Sequence, residues 1–181
     1  MTDEILKKGL LISRSALEAI FFDTEILKFS NPEFQEKAAT FVTLKVNGRL
    51  RGCVGNLEPY ESLTDSIVRN TRSSAFSDDR FPPVSIEELK QIKIELSIIS
   101  NKKEIKFRNP NELLNKIYPD VDGVALSYNN NSATFLPQVW REIRSKKTFL
   151  SELCKKAGLN STDWQRLPIK IETYQIKKTS E

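Results

Sequence analysis

The sequence predicts an α+β fold, in which helices and antiparallel strands are mixed without a regular βαβ order. Apolar residues recur at the three-to-four spacing of an amphipathic helix between Glu4 and Phe22. Two hairpin signals follow, one at Asn47 and Gly48 and the other across the three asparagines that begin at Asn129. The sequence has no glycine-rich strand-to-helix phosphate loop, which argues against a nucleotide-binding Rossmann or P-loop domain.

The first half of the chain carries four predicted elements. Thr2 and Ser62 are helix caps, because a hydroxyl can accept a free N–H of the first helical turn. The predicted elements are a helix over residues 4–22, strands over residues 41–46 and 50–54, and a helix over residues 63–76.

The register of the first hairpin has two alternatives. A two-residue turn pairs Val46 with Arg49, whereas a three-residue loop with a left-handed glycine pairs Lys45 with Arg49. One residue of slip exchanges the two faces of a strand. The three-residue loop is favoured, because it leaves one face apolar and puts Arg51 and Cys53 together on the other face.

After the second helix comes the irregular segment SDDRFPPVSIEE, which Pro82 and Pro83 stiffen. Ser85 and Glu88 match a capping box, in which each residue satisfies a backbone N–H of the other at the start of a helix. The remaining predicted elements are a strand over residues 92–98, a helix capped at Asn109 that ends near Tyr118, strands over residues 124–128 and 133–136, helices that begin at Pro137 and Thr148, and a strand over residues 169–176.

Composition limits the function classes. The chain has 181 residues and a net charge of +4, which is weak support for nucleic-acid binding. The two cysteines, Cys53 and Cys154, form neither a disulfide framework nor a zinc site, so we expect a reducing, cytoplasmic compartment. The absence of histidine removes Ser-His and Cys-His pairs and most transition-metal sites, and we expect no metal and no cofactor. No apolar run approaches the ~20 residues that cross a bilayer and no signal-peptide pattern is found, so we expect no membrane contact.

Six blocks occur in order between about residue 40 and Trp164: LRGCVGN, AFSDDRFPPV, IELSIIS, DGVALS, TFLPQV and FLSELCKKAGL. Together they resemble the AMME chromosomal region domain family, with small departures at Val54, where isoleucine is usual, and at Asn56, where threonine is common. The resemblance implies an α+β fold with a main antiparallel sheet flanked by helices, a smaller lobe, and a cleft between them that the LRGC segment borders. It implies a single domain of this type over residues 1–181, which can comprise two subdomains, and Memo-like or radical SAM proteins as partners.

The sharpest candidate site combines the LRGCVGN strand with the arginine of SDDRF. Two guanidinium groups can each donate paired hydrogen bonds to a carboxylate or phosphate, and glycines let backbone N–H groups approach the same ligand. A thiol beside positive charge can be nucleophilic, which makes Cys53 the candidate catalytic residue. In the structural alternative, Arg51 pairs with a carboxylate and the glycines form a bulge. The carboxylates considered are Asp78, Asp79 and Glu95. The predicted ligand-binding residues are Arg51, Gly52, Cys53, Gly55, Asn56 and Arg80.

Three further features have a functional and a structural interpretation. The adjacent Asp78 and Asp79 can bind a cation or act as acid and base, but such pairs more often end a helix or start a turn. A basic concentration around Trp140 can be a nucleic-acid surface, although a solvated helical face is the favoured interpretation. Cys154 lies at helical spacing among apolar residues, which favours core packing. The basic residues are Arg141, Arg144, Lys146, Lys147, Lys155 and Lys156.

Three function hypotheses follow. The first is a domain that binds an anionic small molecule in a cleft lined by the LRGCVGN strand and that catalyses with help from a partner enzyme. The second is a regulatory or adaptor protein that uses this strand face as a docking surface. The third is a nucleic-acid-associated protein of transcription, translation or repair, which acts through the region from Trp140 to Lys156.

Overall fold

The computed structural model describes residues 2–181 and confirms the α+β class. The chain divides into two compact units. Unit 1 comprises the chain up to Ile99 together with Lys177–Glu181, and unit 2 comprises Ser100–Ile176. No helix within residues 2–181 combines the length and the apolar character needed to cross a membrane.

The described chain contains four α-helices and two four-stranded sheets. The helices are α1 (Asp3–Glu18), α2 (Leu63–Phe76), α3 (Pro110–Lys116) and α4 (Lys146–Lys156). The strands are β1 (Ala39–Val46), β2 (Arg49–Gly55), β3 (Ile92–Ile99), β4 (Lys103–Glu104), β5 (Gly123–Tyr128), β6 (Asn131–Phe135), β7 (Lys170–Tyr174) and β8 (Ile176–Ser180). One sheet has the strand order β2-β1-β3-β8 and the other the order β4-β7-β5-β6.

Unit 1 packs α1 and α2 on its sheet. Every second residue of β3 is apolar and buried, as expected for a strand with one face on the core. The hydroxyls of Thr2 and Ser62 each accept an N–H of the following helical turn, so both predicted caps form, and α2 has its predicted bounds. The other helix, α1, ends at Glu18 rather than at Phe22, and the N–H groups of Ile20 and Phe21 each bond a C=O three residues earlier, which forms turns.

The first hairpin has a two-residue turn, so the predicted three-residue loop is wrong. Asn47 and Gly48 have φ values of 51° and 75°, and Val46 pairs with Arg49 across the turn. Two successive left-handed residues match the twist of the flanking strands, and no third loop residue is needed. Leu50, which the predicted loop would place on the apolar face, is 43% exposed.

A bulge at Arg51 sets the side-chain alternation farther along β2. Lys45 pairs with Leu50 but Leu44 pairs with Gly52, so Arg51 is one extra residue on β2. The glycine therefore shares the side of β2 that packs on α2, and the motif cysteine that follows it faces the opposite side.

Unit 2 has its own apolar core, to which α4, β5 and β7 contribute. The Trp140 ring stacks on Phe149 with the centroids 3.6 Å apart. Cys154 is fully buried, as its core-packing interpretation requires, and this burial raises the pKa of its thiol. The last helix, α4, begins two residues before the predicted Thr148, because Ser145 is its cap.

The C-terminal strand also differs from its prediction. Residues 169–176 contain β7 and the start of β8, and the break falls at Gln175. The N–H of Gln175 donates to Ser100 Oγ and its C=O accepts the N–H of Ser100, so these bonds join two residues outside the strands. After the break the chain returns to unit 1. The helix predicted from Pro137 is a short 3₁₀ helix, Pro137–Arg141.

Candidate functional site

Residues 77–88, called the strap below, follow α2 and are fastened to β2. This strand is an edge of its sheet, so the backbone groups on its outer side face no other strand of the described sheet. Pro82 and Pro83 stiffen the strap. Hydrogen bonds join four strap residues to two residues of β2.

Arg51 is the first fastening point. Its Nε and Nη2 donate to the two carboxylate oxygens of Glu88 at 2.6 and 2.9 Å, and Nη2 also donates to the C=O of Pro83 at 3.2 Å. The side chain is 12% exposed, and its Nη1 is buried without a hydrogen-bond partner among residues 2–181. The shared hydrogen bonds raise the pKa of Arg51 and lower that of Glu88. Arg51 thus has a carboxylate partner, as the structural alternative expected, but it is none of the three carboxylates considered from the sequence.

Glu88 forms one of the two hydrogen bonds of the predicted capping box. Its Oε2 accepts the N–H of Ser85 at 2.9 Å. Residues 85–91 nevertheless form turns and not an α-helix, so the helix that the box predicts is wrong. The N–H groups of Gln91 and Ile92 both return to the C=O of Glu88, which closes a turn directly before β3.

Cys53 is the second fastening point. Its N–H donates to Asp78 Oδ2 at 2.7 Å, and its C=O accepts a bond from Arg80 Nη2 at 3.3 Å. The Nε and Nη2 of Arg80 in turn donate to the two Asp78 oxygens at 2.8 and 2.7 Å. These hydrogen bonds hold the pKa of Asp78 well below its usual range. The ion pair of Asp78 and Arg80 therefore bonds both the N–H and the C=O of Cys53, as a neighbouring strand would.

The thiol of Cys53 is half-buried, and its Sγ lies 3.2 Å from the Thr43 hydroxyl on β1. A hydroxyl does not act as a general base at neutral pH. Asp78 of the acidic pair is held by the fastening bonds, and Asp79 is exposed. No group of three or more Cys, Asp or Glu side chains within residues 2–181 is placed to hold a metal. A catalytic role of Cys53 stays a prediction.

Both motif glycines allow close packing. A Cβ on Gly52 would lie 2.0 Å from the C=O oxygen of Ser74 in α2. The Ser74 hydroxyl reaches the sheet, where it accepts the N–H of Val54 at 2.9 Å and donates to a C=O of β1 at 2.8 Å. A Cβ on Gly55 would lie 2.3 Å from the Phe41 ring. The glycines thus have a packing explanation that needs no ligand.

Asn56 belongs to a buried polar network. Its Oδ1 accepts bonds from Asn70 Nδ2 at 2.9 Å and from Arg69 Nη2 at 3.1 Å. Asn70 is fully buried and also donates to the C=O and hydroxyl of Thr40, while its own Oδ1 has no hydrogen-bond partner within the described chain. This network was not predicted from the sequence, although polar residues recur at four-residue spacing along the buried face of α2.

The structure places Arg51 and Arg80 beside Phe81, and Arg80 also bonds the backbone of Cys53. The Cζ atoms of the two arginines lie 6.0 and 5.5 Å from the centroid of the Phe81 ring. Arg80 is 57% exposed, whereas its partner Asp78 is 7% exposed. The side-chain bonds of Arg80 to Asp78 and Cys53 use its Nε and Nη2, and its Nη1 forms no hydrogen bond within residues 2–181. Arg80 is therefore the predicted site residue that presents an unused donor at the surface.

Two depressions lie elsewhere. One of about 820 Å³ in unit 1 has the exposed apolar side chains Phe22 and Ile86 in its wall. The other, of about 300 Å³, lies in unit 2, and its wall includes Arg141 and Arg144. No LRGCVGN residue lines either depression, and a ligand-binding cleft at this strand stays a prediction.

Trp140 is not available as a stacking surface for a base. It is 1% exposed, its ring is covered by Phe149, and its Nε1–H donates to the C=O of Asp122 at 2.7 Å. The aromatic residue that the sequence analysis placed in the basic surface is thus a core residue.

Comparisons with known proteins cover nearly the whole chain. The AMMECR1 family model matches residues 10–179, which include the strand and the strap. Protein TV1384 of Thermoplasma volcanium is 35% identical over 95% of this chain and 87% of its own length. Protein MK0488 of Methanopyrus kandleri is 39% identical over 81% of this chain and 72% of its own. The crystal structure of the uncharacterized protein PH0010 from Pyrococcus horikoshii has a TM-score of 0.74 and 30% identity, covering 100% of this chain and 93% of its own.

Proposed function

Because this chain belongs to the AMMECR1 family, a conserved family without an established function, we propose its role from the geometry of the strand and the strap. It is a binding domain that recognises the carboxylate or phosphate group of an anionic small molecule through Arg80. The observation that carries the proposal is a guanidinium that is held by one carboxylate through Nε and Nη2, yet is 57% exposed with Nη1 unused.

A side chain that is already held in place loses less conformational freedom when a ligand binds. Both carboxylate oxygens of Asp78 hold the Arg80 guanidinium. The Phe81 ring, 5.5 Å from the guanidinium, adds an apolar contact beside the donor. This arrangement supports recognition of a small anion with one apolar side.

Arg51 has a positioning role in this proposal. Both carboxylate oxygens of Glu88 bind one edge of its guanidinium, so Arg51 fastens the far end of the strap while Asp78 and Arg80 fasten its start. The two arginines are balanced by two carboxylates. Recognition therefore relies on directed hydrogen bonds more than on long-range attraction, and we expect anion affinity to depend weakly on salt.

The adaptor hypothesis has less support at this strand. A partner that adds a strand to β2 needs free backbone groups on its edge, and Asp78 and Arg80 already occupy those of Cys53. The Memo-like or radical SAM partners and the cytoplasmic location stay predictions.

An NMR titration with inorganic phosphate and with acetate tests the proposal in the wild type and two variants. Arg80→Gln removes the proposed donor. Arg72→Gln is the matched control, because Arg72 is an exposed arginine of α2 without an ion-pair partner in the described chain. We expect anion-dependent amide shifts at residues 51–56 and 78–81, with affinity about tenfold lower in R80Q, as loss of a charge-assisted hydrogen bond predicts, and unchanged in R72Q. Equal losses in both variants, or no shifts in these two ranges, would overturn the proposal.

A further inference from the structure

Unit 2 carries the net positive charge of the protein. Residues 100–176 contain 13 Lys and Arg against eight Asp and Glu, a net charge of +5, whereas the rest of the chain contains 15 against 16, a net charge of −1. The whole-chain value of +4 therefore averages a basic unit with a slightly acidic one. A basic unit of this kind attracts polyanions.

Arg141 and Arg144 are two of the basic residues of unit 2. Both are exposed, and neither guanidinium has a hydrogen-bond or ion-pair partner within residues 2–181. Together with Pro119 and Asp120 they line the depression of about 300 Å³. Lys147 in the first turn of α4 is also exposed and unpaired in the described chain. Its charge adds to the positive N-terminal end of the helix dipole.

An exposed aromatic residue adjoins the same depression. Tyr118 is 61% exposed and Val121 is 48% exposed, and they flank residues 119–120 in its wall. The turn that carries them is held firmly, because the N–H of Tyr118 donates to Asp122 Oδ2 at 2.9 Å and Trp140 Nε1–H donates to the C=O of Asp122 at 2.7 Å. An exposed aromatic side chain on a well-held turn, next in sequence to residues that line a depression with unpaired arginines, matches the combination with which proteins stack bases and contact phosphates of single strands.

We propose that the face of unit 2 formed by Tyr118, Arg141, Arg144 and Lys147 binds single-stranded nucleic acid. The two guanidiniums contact phosphates, whose oxygens match their forked donors, and the tyrosine stacks on a base. Polyphosphates and phosphorylated peptides would use the cations alone, whereas the exposed ring favours a ligand with bases. The single acidic residue of the wall, Asp120, keeps phosphates on the arginine side of the depression. This site is separate from the anion site at Arg80 and stands independently of it.

Fluorescence anisotropy with a labelled oligouridylate of about ten nucleotides tests the proposal. The variants are R141Q/R144Q, Tyr118→Ala, Tyr118→Phe and the control R49Q/R72Q, which removes two exposed arginines from unit 1. We expect R141Q/R144Q to weaken binding about tenfold or more and to flatten the slope of log affinity against log salt by about 1.4, the value for two lost phosphate contacts on a single strand. Y118A weakens binding about fivefold or more, and Y118F retains it.

Several results would overturn the proposal. One is the absence of wild-type binding, and another is an equal effect of R49Q/R72Q, which would indicate net charge alone. Undiminished affinity in Y118A, or inorganic polyphosphate competing as well as unlabelled oligouridylate, would indicate a general polyanion surface. Tryptophan emission serves as the fold control, because Trp140 lies directly under the face and reports disturbance of its stack.

Discussion

Replacing Gly52 by alanine tests whether the motif glycine serves helix packing. The new Cβ would lie 2.0 Å from the C=O oxygen of Ser74, a full ångström below the 3.0 Å limit under which Cβ contacts are essentially never found. The obstacle is helix backbone, which cannot rotate away as a side chain can. Either α2 or β2 must therefore move by roughly 1 Å in a close-packed interior.

The size of the effect follows from overpacking and from the hydrogen bonds that such a shift disturbs. Overpacking costs about 1–3 kcal/mol, and the two backbone bonds of the Ser74 hydroxyl contribute about 0.5–1.5 kcal/mol each. We expect Gly52→Ala to lower the free energy of unfolding by about 3 kcal/mol. Gly48→Ala is the matched control, because its Cβ meets nothing within 4 Å. Its positive φ alone costs about 1 kcal/mol.

Urea denaturation followed by far-UV circular dichroism measures the two losses, and amide hydrogen exchange in β1 and β2 assigns them to unit 1. Tryptophan fluorescence does not suit this experiment, because Trp140 and Trp164 both lie in unit 2. A loss in G52A no larger than that in G48A would refute the packing explanation.

Three further predictions concern the ion pairs and the aromatic stack. A double-mutant cycle of Arg51→Met and Glu88→Gln, measured by urea denaturation, should give a coupling free energy of about 1–2 kcal/mol, since the ion pair is mostly sheltered from solvent. A coupling free energy near zero would contradict the role of this ion pair in holding the strap on β2. In Asp78→Asn, the free energy of unfolding should fall less steeply than in the wild type as the pH is lowered into the acid range. A carboxylate whose folded pKa is lowered stabilises the fold above its unfolded pKa of about 4 and loses this contribution as the pH falls, so parallel curves for the two proteins would contradict the pair. Trp140→Phe removes the hydrogen bond to Asp122 but keeps an aromatic ring beside Phe149. Thermal denaturation should show that the free energy of unfolding falls by about 1 kcal/mol. A decrease above about 3 kcal/mol would mean that the stack contributes more than the hydrogen bond.

Much of unit 1 follows from local signals. The helix α2 begins and ends at the predicted residues, because the Ser62 cap acts on the adjacent turn. The strand β3 follows from strict alternation of apolar and polar residues. The bulge at Arg51 was missed, because the pattern of apolar and polar residues along β2 does not reveal an extra residue. The break at Gln175 was missed for the same reason, since its partner Ser100 is distant in sequence.

The residues of the candidate site were predicted as a group, but the ion pairs that they form were not predicted. The LRGC and SDDRF motifs predicted Arg51, Cys53 and Arg80 as one group, and the structure places Arg80 on the Cys53 backbone and both arginines beside Phe81. The partner of Arg51 was not predictable, because Glu88 reaches it through the path of the strap and a turn replaced the expected helix. The basic residues around Trp140 were recognised in the sequence, but the net charge of the whole chain concealed the charge difference between the two units. Tyr118 gave no signal because its exposure depends on the fold around it.

The guanidinium resonances of Arg80 give the most direct test that the strap presents this side chain to an anion. During titration of the wild-type protein with inorganic phosphate, the account predicts a saturable shift of the Arg80 side-chain signal and none for Arg72. An unchanged Arg80 signal, or equal shifts for both arginines, would contradict it.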